Sequence, residues 1–270
     1  MVKVSIELIT KGEDTLKIVL ESIKSQTFKN FEIICANSSE KIETSRLLRT
    51  YNVKEIKAIN AKHLLGRYLS NSIAEGEYRL ILDSTRPLES NALEILVSKY
   101  LKYSAVCIKE GSIGNTFWIN QANKLKILSE KSFNKLQPKK VAYILPRFYY
   151  GKVLDNAFKF LKNNIDNELF NEISYGEHHL IYEAAKLDDK EIILTDEILI
   201  KHYEDKSVAS IIKKYKWYGK SQKTLNKINF NNNAKKMKSH VRPLMFNIYE
   251  IETIPIRFVR ICAFLYGYLF

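Results

Sequence analysis

VSIELITKGEDTLKIVLESIKSQTFKNFEIICA, residues 4–36, reads as strand, helix, strand. Val2 to Ile9 is apolar and β-branched and stops at Thr10-Lys11-Gly12, which marks a buried strand. From Asp14 to Gln26 the apolar residues Leu16, Val19, Leu20 and Ile23 recur at helical spacing. Phe31 to Ala36 is a second apolar run of strand length. Two buried strands joined by a helix make a parallel pair with a right-handed crossover.

Working outward, the alternation continues. Glu40 to Tyr51 reads as a helix, Lys54 to Ile59 as a short strand and Leu64 to Ala74 as a helix closing near Gly76. Tyr78 to Leu82 is the next strand, Asn91 to Tyr103 the next helix, and Ala105 to Lys109 another strand. This pattern predicts an α/β fold, a mostly parallel sheet flanked by helices. Ligands of such sheets bind outside the carboxyl ends of the strands. Thr10–Glu13, Ala36–Ser39 and Asp83–Arg86 therefore share one rim.

Between Gly111 and Pro146, strands and loops are expected around Phe117-Trp118 and Val141–Leu145, with Cys107, Phe117 and Trp118 in the core. Lys152 to Lys162 and Glu177 to Lys186 read as helices. Ile192 to Thr195 and Ile198 to His202 read as two short strands, and Ser207 to Lys220 as a basic amphipathic helix. No internal repeat is evident.

The chain has 270 residues, 46% of them apolar, enough for a full core. Its 43 Lys and Arg against 30 Asp and Glu give a formal charge of +13, which favours anionic partners. Charge alone does not select nucleic acid, and no nucleic-acid-binding signature accompanies it. The three cysteines, Cys35, Cys107 and Cys262, have no zinc spacing, and the first two read as buried thiols of a reducing compartment. No secretory leader is expected at the N-terminus.

The last fifty residues differ in character. KSQKTLNKINFNNNAKKMKSH, residues 220–240, reads as a polar, basic linker. IPIRFVRICAFLYGYLF, residues 254–270, is too short and too charged for a bilayer span. It reads either as a helix lying in a membrane interface or as one packed on the core. The expected division is a domain over residues 1–221 and a C-terminal extension over 222–270.

The residues of the first half resemble a family 2 glycosyltransferase with the GT-A fold. Leu20-Glu21-Ser22-Ile23, Gln26-Thr27 and Asn30-Phe31-Glu32-Ile33-Ile34 carry the likeness, with LLGRYLSNSIAEGEYRLILDS (64–84) and LESNALEIL (88–96). YGEHHLIYEAAKL (175–187) is similar to the acceptor-side acidic motif, and IKHYEDKSVASIIKKYKWYGKS (200–221) to the closing His and its helix. The resemblance covers about residues 1–110 well and 145–221 loosely.

It implies transfer of a sugar from a nucleoside-diphosphate donor, a hexosyltransferase type of reaction, usually with inversion. The acidic motifs diverge. Ala36-Asn37-Ser38-Ser39 stand where acids usually follow the second strand. Asp83 remains of the metal motif, with Thr85 and Arg86 in place of its other acids. His178 stands where the catalytic Asp usually lies, after Glu177.

Thr10, Glu13, Asn37 and Arg67 are thus expected to frame the nucleotide. Asp83, with Arg86 or His202, would handle the diphosphate. Asp83 and His202 could ligate Mg²⁺ or Mn²⁺, or Arg86 could bind the diphosphate without metal. His178 would be the general base, with Glu177 the second candidate. The acceptor would be a glycan or lipid-linked, and the protein cytoplasmic or peripheral on the inner membrane face. The competing reading is a catalytically inactive glycosyltransferase-like scaffold. The two differ in whether Asp83 and His178/Glu177 meet in one cleft.

Overall fold

The computed structural model describes residues 3–133, 144–187, 191–228 and 253–270. Its seven strands are β1 (Val4–Thr10), β2 (Phe31–Asn37), β3 (Lys54–Lys57), β4 (Tyr78–Asp83), β5 (Ala105–Ile113), β6 (Pro146–Tyr150) and β7 (Ile192–Tyr203). They form one sheet in the order β3-β2-β1-β4-β6-β5-β7. The pairs β1/β2, β1/β4, β2/β3 and β5/β7 are parallel. Only β6 runs the other way, antiparallel to both β4 and β5.

The helices in chain order are α1 (Leu16–Lys24), α2 (Ile42–Thr50), α3 (His63–Ser72), α4 (Ala92–Lys99) and α5 (Phe117–Phe133). They continue with α6 (Gly151–Asn164), α7 (Asn167–Glu172), α8 (Glu177–Ala185), α9 (Val208–Leu225) and α10 (Ile254–Leu269). Both faces of the sheet are covered, so β1 and β4 are buried on both sides, whereas the edge strand β3 is partly exposed. Val4, Ile6, Leu8, Leu80 and Leu82 pack with Leu16, Val19, Leu20 and Ile23 of α1 and Leu93 and Leu96 of α4. Ile81 and Tyr149 point the other way, into Leu64, Leu154, Phe158, Leu180 and Ile181.

Three stretches differ from the reading by pattern. Phe117–Phe133 is a helix, not strands and loops. Ile119, Ala122 and Leu125 bury one face of it, and Thr116 Oγ1 accepts from the Ile119 N–H at its start. Phe117, expected in the core, is 56% exposed, because it starts the helix on the solvent side. The two short strands expected at 192–202 are one strand, β7. Its pairing with β5 shifts register at Cys107–Glu110. Thr195 Oγ1 accepts from Lys109 N and donates to Glu197 O there, so Asp196-Glu197 form a bulge and not a break. Residues 141–143, expected as strand or loop, and 229–240 of the expected linker lie outside the described residues.

The division expected after residue 221 falls inside α9. α10 packs directly on that helix. A Cβ on Gly219 would stand 2.1 Å from Phe264 O, and one on Gly267 would stand 2.0 Å from Lys216 O. The two backbones touch where both helices lack side chains. On the far face Phe258, Leu265 and Leu269 of α10 stay exposed. No helix among the described residues is long and apolar enough to cross a membrane.

Candidate active site

A cleft of about 420 Å³ opens over the carboxyl ends of β1, β2 and β4. Thr10, Lys11 and Glu13 line it from the end of β1, Ser38 from β2 and Asp83–Arg86 from β4. Across from them stand Glu177 and His178 at the start of α8, His202 of β7, and Lys214, Trp217 and Tyr218 of α9. His202 is carried there because residues 85–89 pair along β7. Tyr203 N donates to Thr85 O, Lys201 N to Pro87 O and Glu89 N to Leu199 O.

Asp83 is the centre of the charge arrangement. Its Oδ1 accepts from Nη2 of Arg67 and its Oδ2 from Nη1 of Arg86. Nη1 of Arg147 lies 3.4 Å from the same Oδ2. Burial alone would raise the Asp83 carboxyl, but Arg67, Arg86 and Arg147 hold it well below the usual carboxylate range. Arg67 is fully buried in α3, and its Nη1 also donates to Leu82 O at 2.7 Å. It therefore reaches the site from beneath the sheet and meets Asp83, not the open cleft.

Arg86 and Arg147 share a second carboxylate. Glu110 Oε1 accepts from Nε of Arg86 at 3.1 Å and from Nε of Arg147 at 2.7 Å. Burial opposes ionisation of Glu110, and the two guanidinium groups override it and hold its carboxyl far down. None of these bonds uses Nη2 of either arginine. Among the described residues those Nη2 groups have no partner and are open to a ligand.

Glu177 and His178 follow Gly176, whose φ of 81° turns the chain into α8. Nε2 of His178 lies 3.3 Å from Nη2 of Arg67 and 3.5 Å from Nη1 of Arg147. Its Nδ1 is buried without a hydrogen-bond partner among the described residues. Burial, Arg147 and Arg67 push its pKa well below that of a free imidazole, so the ring is neutral with its Nε2 lone pair turned to arginine. Glu177 has His63 Nδ1 and His178 Nε2 each at 3.8 Å and, among the described residues, no guanidinium paired with it.

The remaining expected residues separate. Glu13 lines the cleft but is held by its own rim. Its Oε2 accepts from Thr10 Oγ1 at 2.7 Å, Lys11 N at 2.9 Å and Ser84 Oγ at 2.6 Å, which together lower its pKa against burial. It ties the β1 loop to the β4 loop. Asn37 is fully buried and does not line the cleft. Its Nδ2 donates to Glu55 Oε1 at 2.7 Å and its Oδ1 accepts from Ser39 N at 2.9 Å, which shapes the turn after β2. Ser38 takes the lining position. His202 is buried, with Nδ1 2.8 Å from Glu204 Oε1. Burial and Arg86 lower its pKa to about 4 against the pull of Glu204.

These donors do not fit a divalent cation. Both oxygens of Asp83 are engaged by guanidinium groups, Thr85 stands where a second acid would help, and Nδ1 of His202 is engaged by Glu204. Among the described residues no group of three or more His, Cys, Asp or Glu side chains could hold a metal ion. Reading by motif misses Arg147, Glu110 and Glu204. The one available signal for Arg147 is a charge inside the apolar run of residues 144–150.

Comparison with known proteins matches this arrangement of strands. The mannosyltransferase PcManGT of Pyrobaculum calidifontis, in complex with GDP-Man and Mn²⁺, superposes with a TM-score of 0.59. It is 12% identical, and the likeness covers 98% of this chain and 72% of that one. S. aureus TarS superposes with a TM-score of 0.52 and 16% identity, over 80% of this chain and 39% of that one. TarS 1-349 in complex with UDP gives 0.51 and 15%, over 87% and 67%. The fold is thus the expected GT-A arrangement.

In sequence, glycosyltransferase GlyA of Streptococcus pneumoniae serotype 4 (strain ATCC BAA-334 / TIGR4) is 26% identical over 150 residues, 54% of this chain. The chain spans 19% of that curated relative's length. Residues 5–160, more than half of the chain, match the profile of Glycosyl transferase family 2. The chain belongs to glycosyl transferase family 2.

Proposed function

We propose that the protein transfers a hexosyl group, with inversion, from a nucleoside-diphosphate sugar to a hydroxyl of a glycan or lipid-linked acceptor. The observation that carries this is the meeting of Asp83, Arg86, Arg147, His178 and Glu177 in one cleft at the strand ends. A scaffold without catalysis has no need of that geometry.

In this reading the nucleotide lies along the β1 and β2 ends, framed by Thr10 and Ser38, with Glu13 bracing the loops. Arg86 and Arg147 neutralise the diphosphate through their Nη2 groups, as guanidinium pairs well with phosphate. Asp83 is their orienting counter-ion, and Arg67 and His178 complete its cage. Glu177 takes the proton of the acceptor hydroxyl as its oxygen attacks the anomeric carbon. The new C–O bond forms as the bond to the diphosphate breaks, and the nucleoside diphosphate leaves with the electron pair. Glu177 is preferred to His178 because two guanidinium groups face the His178 Nε2 lone pair.

The bound nucleotides of the structural neighbours, UDP for TarS and GDP-Man for the mannosyltransferase, support this donor class. The exposed Phe258, Leu265 and Leu269 of α10, together with the basic residues Lys213, Lys216, Lys220 and Lys223 of α9, support peripheral contact of the C-terminal region, residues 222–270, with the cytoplasmic membrane face. Vesicles of anionic and zwitterionic lipid test that contact by co-sedimentation, with anionic vesicles retaining the protein.

The deciding experiment titrates the protein with UDP, GDP and dTDP, each with Mg²⁺ or Mn²⁺ and with EDTA. Binding that survives EDTA and is lost in Arg86→Ala supports the arginine-held diphosphate. Binding that requires metal and is lost in Asp83→Ala overturns that part and restores a metal site. Binding of none of the three overturns the transferase reading in favour of the scaffold.

A further inference from the structure

A second lobe of about 250 Å³ continues the cleft on the far side of Arg86 and Arg147. It shares those two arginines, His178 and His202 with the main cleft, and none of the rim residues Thr10, Glu13 and Ser38. Its outer wall is built by α5, α9 and α10, through Lys126, Tyr215 and Arg260 among others. α9 and α10 lie outside the stretch that matches the family profile.

The charge in this lobe is unevenly committed. Glu110 is taken by Arg86 and Arg147, and Glu204 by His202 and by Lys126 at 2.6 Å. Lys214 pairs with Asp205 at 3.2 Å. Glu130 is the one further carboxylate in the lining, and burial raises its pKa, which weakens its hold on a cation. Arg260 stands apart. Its guanidinium lies 5.1 Å over the Tyr215 ring, and no carboxylate of the described residues pairs with it. Its Nε is buried without a hydrogen-bond partner among the described residues. Arg260 as a whole is partly buried, and leaving its buried Nε donor unmatched is costly, a cost recovered when an acceptor arrives.

We propose that this lobe binds an anionic group of the acceptor, a phosphate or a carboxylate, and that Arg260 is the specificity-determining residue that receives it. The inference rests on the transferase reading and names the acceptor class for it. The nucleotide fills the larger lobe, and the acceptor enters from the α10 side. Its hydroxyl reaches Glu177 while its charge rests between Arg260 and the Tyr215 face. A cation over an aromatic ring presents its edge donors sideways, which suits an oxyanion better than a neutral hydroxyl.

The test has two stages, so that the two readings fail separately. Nucleotide affinity is measured first, for the wild type, Arg260→Gln and Arg260→Lys, and reports the transferase reading by itself. The nucleotide-saturated proteins are then titrated with sn-glycerol 3-phosphate, with glycerol as the neutral control and calorimetry as the readout. The expected result is saturable binding of glycerol 3-phosphate and none of glycerol. Arg260→Gln weakens it at least tenfold, Arg260→Lys weakens it less, and nucleotide affinity is unchanged in all three.

Two results overturn the lobe as an anion site. One is glycerol 3-phosphate binding equally to wild type and Arg260→Gln. The other is its binding only to nucleotide-free protein, which assigns the anion to the donor lobe. If Arg260→Gln does not fold, Arg260→Lys against the wild type carries the same comparison, and equal affinity again overturns the proposal.

Discussion

Nε of Arg147 donates to Oε1 of Glu110 at 2.7 Å, joining the antiparallel strand β6 to β5 one layer behind Asp83. The same oxygen takes Nε of Arg86 at 3.1 Å. One carboxylate thus sets the direction of both arginines that face the cleft. Removing it leaves two largely buried guanidinium groups with Asp83 as their one shared carboxylate.

Glu110→Ala is therefore expected to destabilise the fold by about 3–5 kcal/mol, the range for breaking a buried ion pair from one side. Glu110→Gln keeps one acceptor oxygen and should lose less. Urea denaturation at neutral pH measures both, and an Ala variant as stable as wild type would remove Glu110 from this role.

Acid should unfold the protein in two stages. His202 has its pKa lowered from 6.5 to about 4 by burial and Arg86, so the unfolded state binds its proton first. Its contribution is complete above pH 6.5 and is lost as pH falls toward 4, a loss of roughly 3 kcal/mol at most. His178, also lowered, acts in the same direction. Asp83 and Glu110 have folded values below the ordinary carboxylate range, so their contribution is complete above it and disappears at lower pH still. His202→Gln should flatten the upper stage and leave the lower one, as read from denaturation midpoints at stepped pH.

Removing the proposed base should separate chemistry from binding. Glu177→Gln is expected to lower kcat by about 10²–10⁴-fold with nucleotide affinity unchanged. His178→Gln should act less on kcat, because its ring faces arginine nitrogens at 3.3 and 3.5 Å. A larger kcat loss in His178→Gln than in Glu177→Gln would reverse the two roles.

The α9–α10 contact has no room for a side chain. In Gly267→Val the new Cβ would meet Lys216 O at 2.0 Å, so the helices must part. Overpacking of this kind costs about 1–3 kcal/mol, and more where backbone is the obstacle. The expected outcome is faster proteolytic removal of α10 with nucleotide binding intact, since Thr10, Glu13, Asp83 and Arg86 lie on other elements. Loss of nucleotide binding along with α10 would show that the two regions are not separable.

The sequence by itself determined the parallel half of the sheet, β1 to β4, and its rim. Alternating apolar runs and helical spacings are local signals, and burial on both faces of a parallel sheet writes them strongly from Val4 to Asp83. They sufficed to bring Thr10, Glu13, Asp83 and Arg86 to one edge, and the motif spacing added Glu177, His178 and His202. Only the tertiary structure decided what those residues do. Asn37 turns away into its own turn, and Asp83 is saturated by arginines from α3, its own loop and β6. Ion pairs such as Arg147–Glu110 and Arg67–Asp83 join residues 37 and 16 positions apart. No periodicity records them, because a charge meets its partner through the packing of the sheet and not through its neighbours along the chain.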